Sequence, residues 1–199
     1  MKIKVRNERI KQLPKAVLLD LDNTLYDYEY AHKKALDASQ FLAQEIIGIE
    51  RNEFMESYAE AKKHVKKNLG SVASSHSRLL YFQYLVEKHG LKTHSQTILQ
   101  LEQCYWHYFL ASAELFPNVL EVLAELKMLH IPIVIVTDLT IQIQLRKLIK
   151  LKIDSYIDYV VSSEEAGVEK PDAKPFTMAL EKLNLTSEDL VWVIGDNPN

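Results

Sequence analysis

Asp20 and Asp22 stand two residues apart at the end of the apolar run Ala16-Val17-Leu18-Leu19, within the segment Asp20-Leu21-Asp22-Asn23-Thr24. Residues two apart along an extended chain project to one face, so both carboxylates can address a single ligand. Such a pair suits nucleophilic or general acid–base work, or the binding of a hard cation. Asp, Asn and Thr also favour turns and helix caps, so the segment alone equally closes a strand and opens a helix. A calcium loop is excluded, because the places where it needs its Gly and its final Glu are here Leu25 and Ala31.

Further polar groups follow downstream. Residues 133–136 lead into Thr137-Asp138, which can cap a helix and whose hydroxyl, with the free N–H groups of a helix start, suits a phosphate. Glu169-Lys170-Pro171-Asp172 sets a lysine on a proline-stiffened loop, and residues 190–194 lead into Gly195-Asp196-Asn197-Pro198. Each has an ordinary reading on its own, as a cap, a solvated lysine or a turn. In sequence order they supply a carboxylate pair, a hydroxyl, an amine and another carboxylate, three of the four straight after an apolar strand. That is where open α/β sheets bind their ligands.

The elements that must bring these groups together follow from periodicity. Residues 17–19 read as a buried strand, and from 26 to 112 the apolar spacing becomes helical. Ala31, Ala35, Ala38, Leu42 and Ile46 form one predicted face, and Leu79, Leu80, Phe82, Tyr84 and Leu85 begin another helix after a Ser-rich turn at 70–77. Beyond it the pattern predicts a helix from 117 or 118 to about 129, strand 131–136, helix 141–150, strand 159–161, helix 174–183 and strand 190–194. Strands alternating with helices predict an α/β fold, a Rossmann-like doubly wound parallel sheet interrupted by an all-helical insert. The divisions are core at 1–25, insert at 26–112 and core again at 113–199.

Composition narrows the partners. At 199 residues, with 24 Lys and Arg against 27 Asp and Glu and a net charge of −3, the chain lacks the basic field of a nucleic-acid binder. The single cysteine, Cys104, excludes an internal disulfide, suits a reducing compartment and is expected as buried filler. Residues 1–15 are charged throughout, with no apolar signal segment, and no later run is long and apolar enough to span a bilayer. No membrane partner is expected, and the expected location is cytoplasmic.

The ordered set resembles the haloacid dehalogenase superfamily of phosphohydrolases, whose four motifs match Asp20-Leu21-Asp22-Asn23-Thr24, Thr137, Lys170 and Gly195-Asp196. The resemblance extends to Ser163-Glu164-Glu165-Ala166-Gly167-Val168-Glu169-Lys170-Pro171-Asp172, typical of members with a helical cap inserted after the first motif. It implies that Asp20 is a nucleophile forming an aspartyl-phosphate and that Asp22 is the acid and base. Thr137, Asp138 and Lys170 are implied as phosphate-binding groups. Asp20, Asp196 and the Asp22 backbone carbonyl are implied as ligands of a Mg²⁺ cofactor. The implied reaction is hydrolysis of a small phosphorylated metabolite, such as a nucleoside monophosphate, phosphoglycolate or a sugar phosphate. Members usually carry a second acidic residue four or five positions after the Asp196 equivalent, beyond Asn199 in this sequence. The residues as given are therefore expected to be a fragment of a longer chain.

Eight of the ten tyrosines fall between 26 and 108 and are expected mainly as cap core. His76 and Arg78, polar and at a helix entry, are the candidates for touching the leaving group, and the run from Lys62 to Lys67 reads as a solvent-facing helix surface. A dehalogenase on the same fold needs no acid, so Asp22 argues against it. A phosphotransferase or mutase and a non-catalytic binding domain complete the alternatives.

Overall fold

The computed structural model describes residues 12–197; the charged residues before 12, together with Pro198 and Asn199, lie outside them. Four strands, β1 (Ala16–Leu19), β2 (Ile133–Thr137), β3 (Tyr159–Ser162) and β4 (Val191–Ile194), form one parallel sheet in the order β3-β2-β1-β4. β1 lies between β2 and β4, with Leu18 opposite Val134 on one side and Val193 on the other. Its side chains alternate between two apolar layers. Val17 and Leu19 join Ile133 and Ile135 on one face, while Leu18 meets Val134, Val136 and Val161 on the other. Both faces are covered, which explains why β1 and β2 are uninterrupted apolar runs rather than alternating ones.

Helices α1 (Tyr28–Ile47), α2 (Arg51–Leu69), α3 (Arg78–Lys88) and α4 (Ser95–Ser112), with a 3₁₀ turn at Ala73–His76, form the cap between β1 and β2. Asp27 caps α1 by accepting the Tyr30 N–H at 2.9 Å, and Gly48 ends it with φ +71°, a left-handed backbone that glycine adopts without strain. The buried stripe of α1 runs Ala31, Ala35, Ser39 and Ala43, so the predicted face was rotated: Leu42 is only partly buried and Ile46 is exposed. Small side chains at four-residue spacing let α4 pack closely against α1. Cys104, on α4, is half-buried rather than fully buried as expected.

Helices α5 (Val119–Met128), α6 (Ile141–Leu151), α7 (Ser163–Ala166) and α8 (Lys174–Lys182) complete the sheet layers, with α5 and α6 on one face and α8 on the other. Among the described residues no helix is long and apolar enough to cross a membrane.

The tyrosines mainly build the cap interior, as expected: Tyr26, Tyr81 and Tyr105 are at most 1% exposed. His32 stands among them, stacked on Tyr28 and with Nδ1 2.6 Å from the Tyr105 hydroxyl. Burial, with the Arg78 and Lys62 charges nearby, pushes His32 down to about 4. Burial and neighbouring cations do the same to His76, also to about 4. An unfolded histidine titrates near ~6.5, so below that value the unfolded chain binds protons that the folded chain refuses. Stability from these groups is therefore intact above about 6.5 and declines as pH falls towards about 4. Melting temperature should drop through that window, and drop less in His32→Gln. The check is a set of melting curves from pH 7 to pH 4 on both proteins, and parallel curves would assign the loss to other groups.

Candidate active site

The site begins where β1 runs out. The Asp20 N–H donates to the Ile194 carbonyl at 2.9 Å, which ties the first carboxylate to β4. Leu21 is fully buried behind it. Asn23, at φ +61°, turns the chain, and its side-chain oxygen accepts the Tyr28 N–H at 3.1 Å. Asn is among the few residues with a side chain that tolerate this left-handed conformation. The turn brings Thr24 back beneath Asp20, where its hydroxyl donates to Oδ2 at 2.9 Å and accepts the Asp196 N–H at 3.0 Å. One hydroxyl thus joins the first and last of the predicted polar segments.

The other Asp20 oxygen, Oδ1, lies 2.5 Å from Lys170 Nζ, which also donates to the Val136 carbonyl at 3.1 Å. Lys170 is set by its own backbone, whose N–H donates to Asp138 Oδ1 at 3.1 Å. Burial raises the Asp138 carboxyl above its usual range. Its side chain also holds the lysine loop. The loop leading into α6 corrects one expectation, that of free N–H groups at the helix start. The Leu139 N–H goes to Ser163 Oγ at 2.9 Å and the Ile141 N–H to Glu164 Oε2 at 2.9 Å, so these two are not free for an anion.

Asp20, Asp22, Thr137, Asp138, Lys170 and Asp196 all line one cavity of about 660 Å³ at the carboxyl ends of the strands. The groups proposed from sequence for the core of the site therefore converge. Thr137 is buried, and its oxygen accepts a hydrogen bond from Gln144 Nε2 at 2.8 Å. Its own hydrogen goes to the Asp138 carbonyl at 3.4 Å, a long contact that a ligand oxygen could replace.

The cap candidates divide. His76 Nε2 lies 2.9 Å from Glu169 Oε1, next to Lys170, at the junction of cap and core. That oxygen has no hydrogen-bond partner among the described residues, so the approach lacks the alignment of a hydrogen bond. With His76 pushed down and burial raising Glu169, the contact is not a charged pair at neutral pH. Arg78 is only 5% exposed and lies inside the cap. Its guanidinium donates to the His76 carbonyl at 2.7 Å and to the hydroxyls of Tyr28 and Tyr105. That burial corrects its expected contact with a leaving group; His76, like Arg78, is not among the residues lining the cavity, but it is half-buried at the cap–core junction. Burial attached to tyrosine partners makes Arg78 a framework residue.

Three neighbours of the site were not read from the sequence: Lys147, Gln144 and Tyr26. Lys147 Nζ contacts both Asp22 oxygens, at 2.7 and 2.8 Å, and the Tyr26 hydroxyl donates to Asp22 Oδ1 at 2.5 Å. The available signal was polarity on an apolar stripe. Gln144 and Lys147 share the buried face of α6 with Ile143, Leu148 and Leu151.

The donor set suits a small hard cation. Asp20 and Asp196 flank Gly195, where an added Cβ would lie 3.5 Å from the Asp20 Cβ, so the two acidic segments meet closely. Mg²⁺ is commonly held by one or two carboxylates with phosphate and water oxygens completing an octahedron. Among the described residues no group of three or more His, Cys, Asp or Glu is placed to hold a metal, so an ion at Asp20 and Asp196 draws its other ligands from elsewhere. The Asp22 side chain is engaged by Lys147 and Tyr26.

The sequence profile of the haloacid dehalogenase-like hydrolases matches residues 14–199. The ribulose-1,5-bisphosphate 5-phosphatase of Halopiger xanaduensis is 38% identical over 183 residues, covering 92% of this chain and 76% of that protein. The glyceraldehyde 3-phosphate phosphatase of Methanopyrus kandleri is 32% identical over 184 residues, covering 92% and 75%. Among solved structures, a 2-haloacid dehalogenase from Pseudomonas syringae superposes with a TM-score of 0.77 at 20% identity, covering 94% of this chain and 80% of that one. A Bacillus subtilis protein of HAD-hydrolase type, YfnB, bound to magnesium, gives 0.69 at 20% identity, covering 94% and 81%. These structural likenesses support the fold. Since the profile takes in every strand of the sheet and the cap between them, and the sequence relatives are phosphatases, the chain belongs to the haloacid dehalogenase-like hydrolases as a phosphatase of that family.

Proposed function

We propose that this chain is a Mg²⁺-dependent phosphomonoester hydrolase that acts on a small sugar phosphate through an aspartyl-phosphate intermediate. The observation that carries the reading is the convergence of Asp20, Asp22, Thr137, Lys170 and Asp196 on one cavity. The names of the sequence relatives favour sugar phosphates over the nucleoside monophosphate and phosphoglycolate alternatives. In this reading residues 26–112 are the cap, and residues 1–25 and 113–199 are the catalytic core.

With its two oxygens held by Lys170 and Thr24, Asp20 is fixed in orientation for attack on phosphorus. Its bond to phosphorus forms as the ester bond breaks, and Asp22 gives the leaving oxygen its proton. In the second displacement Asp22 takes a proton from water, which attacks the aspartyl-phosphate and releases inorganic phosphate and free Asp20. Lys170 and the Thr137 hydroxyl stabilise charge on the phosphoryl oxygens, the hydroxyl exchanging its long contact with the Asp138 carbonyl for a phosphoryl oxygen while Gln144 holds its oxygen in place. Asp20, Asp196 and the Asp22 carbonyl would hold Mg²⁺, which when bound supplies charge neutralisation at the transferring group. His76, at the contact between cap and core, would face the leaving group and help select it.

Asp20→Asn should fold as the parent does and lose turnover, because the amide is nearly isosteric but a poor nucleophile. Turnover of a sugar phosphate at the parent rate by Asp20→Asn would falsify the mechanism. Asp22→Asn should slow hydrolysis by roughly 10²- to 10⁴-fold for an alkyl ester and much less for an aryl ester, whose leaving group needs little protonation. Steady-state kinetics on a triose phosphate and p-nitrophenyl phosphate decide it; equal losses on both remove the acid from Asp22.

For the cap, His76→Ala should change the ratio of kcat/KM between two sugar phosphates by about 10-fold, with p-nitrophenyl phosphate little altered. A uniform decrease on every ester would instead assign His76 to cap folding or closure.

A further inference from the structure

Lys147 is wholly buried, yet its charge is directed at a single partner, the carboxylate of Asp22. Nζ contacts both Asp22 oxygens, at 2.7 and 2.8 Å, and lies over the rings of Phe109, Tyr28 and Tyr26 at 5.4, 5.7 and 5.9 Å from their centroids. The aromatic faces, rich in π electrons, stabilise a cation that burial would otherwise penalise. They also close off alternative positions for the ammonium. The Tyr26 hydroxyl adds a bond to Asp22 Oδ1 at 2.5 Å.

A buried ion pair adds little net stability, because removing both ions from water offsets much of their attraction. Fold stability alone is thus a poor explanation for a charged pair at this position. Geometry gives a better one. A carboxylate offers about four lone-pair positions; two oxygen contacts from Lys147 and one from Tyr26 occupy the side facing α6 and the cap. The Asp22 side chain is still 25% exposed and lines the cavity, so one edge faces the reacting centre.

We propose that Lys147 is a positioning residue for the acid–base step, anchoring the Asp22 carboxylate so that its remaining edge meets the leaving oxygen. The inference rests on the phosphatase reading and on Asp22 as the group that gives a proton to the ester oxygen while the phosphorus–oxygen bond breaks and the bond from Asp20 forms. Lys147 itself touches neither substrate nor phosphorus. Its loss leaves Asp22 present but free to rotate, and a misplacement of about 1 Å in a catalytic group can cost roughly 10²-fold.

The test compares the parent, Lys147→Met, Asp22→Asn and the double variant on a triose phosphate and on p-nitrophenyl phosphate with Mg²⁺. Methionine keeps the length of the side chain and removes the charge. Lys147→Met should lower kcat on the triose phosphate by about 10²-fold, with KM changed less than about twofold. The loss on the aryl ester should be far smaller. In the Asp22→Asn background the same substitution should change nothing, because a residue acting through Asp22 has no effect once the acid is gone. Equal losses on both esters, or a further loss in the double variant, overturn the inference and leave Lys147 as a structural residue. If Lys147→Met fails to fold by circular dichroism, Lys147→Gln, an uncharged donor, takes its place in the same four-protein comparison. Asp20→Asn is run alongside. Parent-like turnover by it overturns the phosphatase reading and this inference together, whereas an inactive Asp20→Asn with a leaving-group-independent Lys147 effect overturns only the inference.

Discussion

Two carboxylates at the end of one buried strand repel each other, and each has a lysine of its own. Lys170 meets Asp20 and Lys147 meets Asp22. Each ammonium offsets the repulsion that two like charges held close together in a partly buried site would otherwise feel. The two lysines arrive from different elements, one from the loop after α7 and the other from α6, and both elements follow β2 in the chain. The sheet order β3-β2-β1-β4 brings them to the carboxyl end of β1, because β2 is its direct neighbour. Parallel pairing of β1 with β2 is thus a condition of the site's charge balance as well as of the core.

The cap takes part in that balance from the other side. Tyr28 presents its ring to Lys147 and its hydroxyl to Arg78, so one side chain contacts both buried cations. Arg78 in turn lies over the faces of Trp106, Tyr105 and Tyr81. Aromatic rings serve here where carboxylates would be the ordinary partners of a guanidinium, and they do so without adding negative charge beside Asp22. Burial first, and then the neighbouring charge of Arg78, keeps His32 neutral: an imidazolium there would be a third cation in an interior that already contains Arg78 and Lys147.

How much of this was legible follows from the range over which each signal acts. β1 and β2 are continuous apolar runs, because burial on both faces leaves no polar side to break the pattern, and the groups at their ends are visible as abrupt changes of polarity. Asp20 and Thr137 were legible for that reason, and Asp196 because it follows β4, an apolar run in sequence although its residues are half-buried or exposed. Lys170 was legible only through its neighbours, since a lysine on a loop resembles any other. Lys147 was missed for a physical cause: it sits in Arg146-Lys147, which reads as a solvated pair, and its partner Asp22 lies 125 positions away in the chain. No local periodicity records such a pairing; its trace is a charged residue at the buried spacing of α6. Arg78 misled in the opposite direction, because a helix entry that looks exposed in sequence is covered by the tyrosines of α1 and α4. The rotated face of α1 has a similar origin. Large side chains drew the predicted stripe through Leu42 and Ile46, whereas close helix packing selected the small residues Ala31, Ala35, Ser39 and Ala43.

Thr24 shows how the remaining distances in sequence are bridged. Its hydroxyl has one hydrogen, which goes to Asp20, and lone pairs that accept the Asp196 N–H. The first contact orients an oxygen of the candidate nucleophile; the second fixes the backbone of the segment carrying the other candidate metal-binding carboxylate. Both need β4 beside β1, and the register that places Leu19 opposite Ile194 provides it. Gly195 then allows the two segments to approach closely over Asp20. A residue that sequence reading assigned to the turn therefore couples the orientation of the Asp20 carboxylate to the position of the Asp196 segment, and a displacement of β4 along β1 would disturb both together.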